Sequence, residues 1–202
     1  MSLFATLPRL SCPVRGRAAL GLLLCVAATI HAAEVPELSV RYEGGEFFLD
    51  ARMSLQAPSA AVYRVLSDYD HWTALSKSVV SSELIFSSDN RHQVRSRTRT
   101  CVLFFCGDVN QVQEITEKSG SEILAVTMPR HSNLRQGVVR WRVAPDGGRT
   151  QVNLSAHLSP DFWIPPWIGP WAINARLREQ VVETAGNLER LARALPPPQE
   201  QR

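Results

Sequence analysis

Apolar and polar residues alternate along most of the chain between residues 49 and 159. From Leu49 to Leu55 every second residue is apolar, which predicts a strand with one buried face. Turn-forming residues then separate six further strand-like stretches, and short turns between successive strands favour antiparallel pairing. These predicted strands are Val79–Ser87, His92–Cys101, Gly107–Thr116, Ser121–Thr127, Gly137–Ala144 and Thr150–Ser159.

Three stretches depart from this alternation and predict helices. Ala60–Leu66 follows Pro58 and predicts a short helix, and His71–Leu75 predicts one further helical turn capped by Asp70. Near the C-terminus, apolar residues recur every three or four positions over Trp171–Ala194. That spacing is typical of a long helix with one buried face.

The order of these elements predicts an α+β fold. An antiparallel sheet of about seven strands has one apolar face, and the long C-terminal helix is the element left to cover it. A sheet that curves around one helix seldom closes along its whole length, so we expect a cavity between them. We expect apolar residues of both layers to line the cavity: Trp72, Val139, Trp141, Val143, Val152, Leu154, Leu158, Leu177 and Val181.

The residues from Met53 to Asp70, MSLQAPSAAVYRVLSDYD, combine a strand, an Ala-Pro turn, a short helix and an Asp-Tyr-Asp sequence. This combination resembles the opening of START-like (SRPBCC) domains, which include polyketide cyclase/dehydrase-like lipid-transport proteins and coenzyme-Q-binding proteins. The aromatic and proline residues before the long helix, and the helix itself, are also similar. The resemblance covers about residues 45–194. It implies the helix-grip fold, with a hydrophobic pocket between the sheet and the long helix.

The first 33 residues have the pattern of a secretory signal peptide. Arg9, Arg15 and Arg17 precede the apolar run Ala18–Ile30, which is too short to span a membrane, and small residues end the segment at Ala33. We therefore expect cleavage near Ala33 and a periplasmic mature protein. It would consist of an N-terminal segment, a START-like domain and a disordered tail, at residues 34–44, 45–194 and 195–202.

The charge balance argues against a nucleic-acid-binding protein. The sequence has 22 Lys and Arg against 19 Asp and Glu, but the expected signal peptide holds three arginines and no acid. The remaining chain is formally neutral, whereas nucleic-acid affinity comes mainly from neutralising phosphates. We therefore expect no nucleic-acid partner.

Export would leave two cysteines in the mature chain, Cys101 and Cys106, with four residues between them. Two thiols in an oxidising compartment usually pair, which predicts a disulfide at the end of a hairpin. The alternative is two free thiols on opposite faces of one strand. The cysteines and histidines do not form a zinc set at the usual spacing, so we expect no metal site.

Arginines recur at alternate positions of one predicted strand. Arg95, Arg97 and Arg99 share one face, and small polar residues occupy the other. The arginines form either a solvated outer face, with the small residues inside, or a cationic wall. In the second interpretation Arg95 or Arg97 receives an acidic headgroup.

The segment Trp163–Trp171 has three tryptophans and three prolines in nine residues. It forms either a packed corner that seats the long helix or a lip at the pocket mouth. In the second interpretation Trp163 and Trp167 gate the pocket and make transient contact with a membrane interface, where tryptophan is favoured. The apolar pair Phe104 and Phe105 either joins that lip or fills the core.

The sequence contains none of the common catalytic or nucleotide-binding motifs, so we assign no catalytic residue and expect no cofactor. Our leading hypothesis is an exported START-like domain that binds a hydrophobic small molecule of the lipid or isoprenoid class, for transport or sequestration. The second is a cyclase or aromatase that uses the same pocket, with His71 or an inward-facing arginine in the catalytic role. The third is an envelope-docking module, which predicts a filled core. The sequence leaves the oligomeric state open.

Overall fold

One antiparallel sheet of eight strands curves around the long C-terminal helix in a computed structural model that describes residues 33–102, 105–118, 120–162 and 170–196. The α-helices are α1 (Ser59–Leu66) and α2 (Pro170–Ala194), and 3₁₀ helices occupy Tyr69–Ala74 and Pro129–His131. None of the helices in these ranges is long and apolar enough to cross a membrane. The strands in chain order are β1 (Glu34–Glu43), β2 (Glu46–Leu55), β3 (Val79–Ser88), β4 (Arg91–Val102), β5 (Phe105–Lys118), β6 (Glu122–Thr127), β7 (Leu134–Asp146) and β8 (Arg149–Pro160).

The strands lie in the order β1-β2-β8-β7-β6-β5-β4-β3, so β1 and β3 form the two edges. The α+β helix-grip fold predicted from the sequence is confirmed, and each of the last six strands lies within three residues of its predicted bounds. The sheet has eight strands rather than about seven because most of the segment 34–44 forms β1. Pro36 and the mostly exposed residues around it mask the alternation of this strand, in which only Val40 is buried. Proline is tolerated there because β1 is an edge strand.

Two hairpins turn on pairs of glycines. Gly44 and Gly45 join β1 to β2 with φ angles of 59° and 87°, and Gly147 and Gly148 join β7 to β8 with 53° and 85°. Two-residue turns that match the twist of a hairpin need positive φ at both positions, which glycine adopts without strain. The turn predicted at Asp146-Gly147-Gly148 is thereby confirmed.

The buried face of α2 consists of Val181, Ala185, Leu188 and Ala192, at spacings of four, three and four residues. These side chains belong to one hydrophobic cluster with buried residues of β2, β8 and α1. The cluster explains why a helix with many charged residues forms here, since packing of one apolar face provides most of the stability of a helix in a protein.

Polar side chains fix α2 against its neighbours. The buried carboxylate of Glu189 accepts a hydrogen bond from the backbone N–H of Gln56 at 2.8 Å, just after β2. Gln180 Nε2 donates to Ser78 Oγ at 2.6 Å and to Thr100 Oγ1 at 3.1 Å, which ties the helix to β4. Hydrogen bonds therefore hold α2 near both ends of its buried face, at Gln180 and at Glu189.

The cap predicted at Asp70 is wrong. The 3₁₀ helix begins earlier than predicted, at Tyr69, so Asp70 lies inside it. Its Oδ1 instead accepts a hydrogen bond from the backbone N–H of Leu84 in β3, at 2.7 Å. Asp68, in the N-cap position, accepts a hydrogen bond from His71 Nδ1 at 2.7 Å.

Cys101 and Cys106 form a disulfide, as predicted. They lie directly opposite each other in the pairing of β4 with β5. The alternative of two free thiols on one strand is wrong because the chain reverses direction between the two residues.

Removing this disulfide with the double substitution Cys101→Ser and Cys106→Ser is expected to lower the free energy of unfolding by about 2 kcal/mol or less. Its cysteines are only five positions apart, and a short loop restrains little entropy in the unfolded chain. Urea denaturation of the variant and of the oxidised wild type measures the difference. A loss of more than about 4 kcal/mol would contradict a role confined to this hairpin.

Candidate ligand-binding cavity

A cavity of about 170 Å³ lies between the sheet and the residues that follow β2. We call residues 59–75, which contain α1 and the first 3₁₀ helix, the cover segment. Leu66, Trp72 and Leu75 of the cover segment form one side of the cavity. The strands form the other side with Val79, Ser96, Thr98, Gln111, Gln113, Ala125, Val139 and Trp141.

Strand alternation decides which residues of β4 reach the cavity. Ser96 and Thr98 line it, so Arg95 and Arg97 between and beside them belong to the opposite face of the sheet. The predicted cationic wall is therefore absent from this cavity, and the alternative interpretation, an outer arginine face with small residues inside, describes β4.

The outer arginines pair with carboxylates. Arg95 Nη1 donates to Glu83 Oε2 at 2.9 Å, and Arg97 Nη2 donates to Asp108 Oδ2 at 2.6 Å. Arg99 Nε donates to the other carboxylate oxygen of Asp108 at 2.7 Å. The Arg99 guanidinium, and after it that of Arg97, hold the pKa of Asp108 well below its usual range. These pairs account for the charge of the arginine face.

The polar part of the cavity wall is buried and has few protein partners. Gln113 is 3% exposed and Ser96 is 5% exposed. Neither these side chains nor Thr98 form a hydrogen bond with another residue in the described ranges. Gln111 Oε1, by contrast, accepts a hydrogen bond from Thr127 Oγ1 at 3.1 Å, which fixes the orientation of its amide.

A carboxylate next to the cavity anchors the cover segment to the sheet. Glu117 lies on the same face of β5 as Gln113, four residues further along the strand. Tyr63 OH donates to Glu117 Oε2 at 2.6 Å, and Tyr69 OH donates to Oε1 at 2.5 Å. His92 Nε2 lies 3.2 Å from Oε1. Both tyrosines belong to the cover segment, so this cluster holds it in place over the cavity.

Burial raises the pKa of the Tyr69 phenol, and the Glu117 carboxylate that accepts its hydrogen bond raises it further. The same two causes raise the pKa of Tyr63. A raised phenol pKa means that the folded protein holds a proton which the unfolded chain releases near pH 10. The stability gained from these phenols is therefore complete below about pH 10 and is lost as the pH rises above it.

We expect the free energy of unfolding to fall above about pH 10, by up to about 1.4 kcal/mol per pH unit for each of the two tyrosines. Urea denaturation between pH 9 and pH 11 measures the slope. Tyr69→Phe should make the slope shallower, whereas Tyr42→Phe, at an exposed position of β1, should leave it unchanged. Equal slopes in all three proteins would contradict this assignment.

Residues 49–195 match the family model for polyketide cyclase/dehydrase and lipid transport. The chain belongs to this family. Similar solved structures include an aromatase/cyclase from Streptomyces sp. R1128, with a TM-score of 0.60, 14% identity and coverage of 73% of this chain and 94% of that chain. A STAR-related lipid transfer protein fragment from Xanthomonas axonopodis has a TM-score of 0.52 and 22% identity, over 77% of this chain and 97% of that chain. A START superfamily protein from Mycobacterium smegmatis has a TM-score of 0.57 and 11% identity, over 74% and 99% of the two chains.

At these identities the solved structures show a common START-like fold and nothing further. A comparison with curated proteins found no match. The similarity of residues Met53 to Asp70 to START-like domains is therefore confirmed for the family and for the fold.

In this member of the polyketide cyclase/dehydrase and lipid-transport family, Trp72, Val139 and Trp141 of the predicted lining reach the cavity. The described part of α2 contributes none of the lining, so the cavity lies between the sheet and the cover segment rather than against the long helix. The reason is that α2 packs mainly against α1 and β1 and has fewer contacts with β2 and β4. The predicted lining residues Val143, Val152, Leu154, Leu177 and Val181 belong to the core or pack against it, and Leu158 is half-buried in β8.

The remaining predicted site residues fall on other parts of the chain. Phe104, Trp163 and Trp167 lie outside the described residues, as do the first 32 residues of the predicted signal peptide. Phe105 is the first residue of β5. Ser96 and Thr98 were expected inside in one interpretation of β4, and six further lining residues were not predicted: Leu66, Leu75, Val79, Gln111, Gln113 and Ala125.

Proposed function

We propose that this chain binds a hydrophobic small molecule in the cavity between the sheet and the cover segment and carries it outside the cytoplasm. The observation that supports this function most strongly is the cavity itself. Its described lining has seven apolar side chains, including two tryptophans, and four neutral polar ones. Ligand sites in proteins are commonly apolar concavities with a few well-placed polar groups.

The size of the cavity limits what it encloses. A cavity of about 150 Å³ accommodates benzene, and pockets for larger ligands usually have about 300–1,000 Å³. The 170 Å³ cavity therefore has room for about one ring. A lipid or isoprenoid would place only part of its length inside, unless the cover segment moves.

The cavity argues against a docking module, and the catalytic residues considered for a cyclase lie away from it. A docking module would have a filled core. A cyclase would need a general acid or base in contact with its substrate. His71, offered for that role, has a side chain that is 75% exposed and pairs with Asp68, and Arg95 and Arg97 belong to the outer face.

Export to the periplasm remains part of the proposal. The basic and apolar pattern of the first 33 residues supports it. The Cys101–Cys106 disulfide supports it independently, because disulfides persist mainly in oxidising compartments. Trp171, 69% exposed at the start of α2, supports transient contact of this end with a membrane interface.

A matched pair of substitutions on β6 tests the binding site. Ala125 is buried in the cavity wall, whereas Val126 is 41% exposed on the other face of the strand. We expect Ala125→Phe to fill the cavity and weaken toluene binding at least tenfold, and Val126→Phe to leave it unchanged. The indole N–H signals of Trp72 and Trp141 in ¹H–¹⁵N spectra report binding at this cavity. Equal toluene binding by both variants, in folded protein, would place the ligand elsewhere.

A further inference from the structure

We propose that the cavity selects a neutral, ring-sized molecule or headgroup that carries a hydroxyl or carbonyl group, and that Gln113 forms the selective hydrogen bond. This inference rests on the proposed function, because it concerns the same cavity. It adds a ligand class and names the side chains that recognise it.

Gln113 is a buried polar residue in the cavity wall. Its side chain faces the cavity and is 3% exposed, and its amide has no hydrogen-bond partner among the described residues. A buried amide without a partner costs the free energy of its lost hydration, and native proteins rarely tolerate that. Because the side chain faces the cavity, a molecule there, a ligand or water, can provide the hydrogen bond that the described residues do not.

Neighbouring side chains extend this polar wall across two strands. Ser96 of β4 pairs in register with Gln111 of β5, and both side chains line the cavity beside Gln113. The bond from Thr127 to Gln111 Oε1 leaves the Gln111 Nε2 group as a donor. Amides and hydroxyls together provide donors and acceptors, so the wall suits a ligand hydroxyl, which does both, or a carbonyl, which accepts.

The rest of the lining is apolar and largely aromatic. Trp72 and Leu75 of the cover segment and Trp141 of β7 provide flat or bulky surfaces against which a ring packs. Trp72 Nε1 already donates to the backbone oxygen of Leu66 at 3.0 Å, so this indole presents only its apolar surface to a ligand. The apolar part of the lining thus fits a ring, and the polar part on β4 and β5 fits its polar substituent.

Charge decides between neutral and ionised ligands. All eleven described lining residues are neutral. A carboxylate enclosed by them would lose its hydration without gaining a counter-charge, which is strongly unfavourable. The arginines that could have provided the counter-charge are on the outer face and pair with Glu83 and Asp108.

Three probes of similar size test this selectivity: p-cresol, toluene and 4-methylbenzoate at pH 7. We expect wild-type protein to bind p-cresol at least tenfold more tightly than toluene, and 4-methylbenzoate more weakly than both. Gln113→Leu should remove most of the preference for p-cresol, by weakening p-cresol binding about tenfold and strengthening toluene binding. Gln136→Leu, at an exposed position of β7, is the matched control and should bind all three probes as wild type does.

Ser96→Ala removes a single oxygen atom from the same wall and should weaken p-cresol binding about threefold. This smaller substitution tests the polar wall even if Gln113→Leu does not fold. A thermal midpoint of Gln113→Leu equal to or above that of wild type would support a recognition role, because the substitution removes a buried amide to which no described residue forms a hydrogen bond. A midpoint more than about 5 °C lower would assign Gln113 to the fold and overturn the inference.

Toluene binding as tight as p-cresol binding, or unchanged selectivity in Gln113→Leu, would overturn the inference and leave the proposed function intact. Preferred binding of 4-methylbenzoate would overturn the neutrality argument. Failure of wild-type protein to bind any of the three probes would overturn both the inference and the proposed function.

Discussion

Replacing Glu117 with alanine should lower the free energy of unfolding by about 3–6 kcal/mol. The substitution removes the acceptor of two phenol hydrogen bonds, from Tyr63 at 2.6 Å and from Tyr69 at 2.5 Å. Tyr69 is 3% exposed, so its hydroxyl would be left buried without its partner. Hydrogen bonds to a charged acceptor contribute about 1.5–3 kcal/mol each, which sets the expected range.

Glu114 provides the control for this prediction. It lies on the outer face of the same strand, and Glu114→Ala should change the free energy of unfolding by less than about 0.5 kcal/mol. Thermal or urea denaturation of the two variants makes the comparison. If Glu117→Ala were as stable as Glu114→Ala, the tyrosine–carboxylate cluster would not hold the cover segment to the sheet.

Leu188→Ala should lower the free energy of unfolding by about 2–5 kcal/mol. Leu188 is fully buried at the centre of the apolar face of α2, so its truncation leaves a cavity in addition to the lost burial. For a domain of this size, each kcal/mol corresponds to about 2–4 °C in the thermal midpoint.

Val182 lies on the same helix and is 55% exposed, which makes Val182→Ala the matched control. We expect it to change the stability by less than about 0.5 kcal/mol, because little surface returns to water. Similar losses in both variants would show that α2 contributes through its helical structure rather than through its buried face.

The fold was predictable because its signals are local and repeated. Alternation in β7 and β8 and the spacing of Val181, Ala185 and Leu188 each identified an element and its buried face. The eighth strand was missed because an edge strand buries few residues. In β1 only Val40 is buried, so the alternation on which the prediction relies is weak.

The cavity was harder to predict because its wall is polar where a core is usually apolar. In β5 the apolar residues Val109, Val112 and Ile115 recur every third position, so the sequence does not show which face Gln111 and Gln113 occupy. Only the register with β4 and β6 determines that face. Ser96 and Thr98 did carry a signal, because one of the two interpretations of the alternating arginines in β4 placed the arginines outside and these small residues inside. A cavity is moreover a result of imperfect packing between distant elements, which no local pattern encodes.

Native mass spectrometry of protein purified without detergent from the periplasm tests the central claim most directly. We expect a processed chain that lacks about the first 33 residues and carries one neutral organic molecule, which p-cresol displaces from wild type and which Ala125→Phe does not retain. A processed chain with no bound molecule, which also takes up neither p-cresol nor toluene, would contradict a ligand-binding function for this cavity.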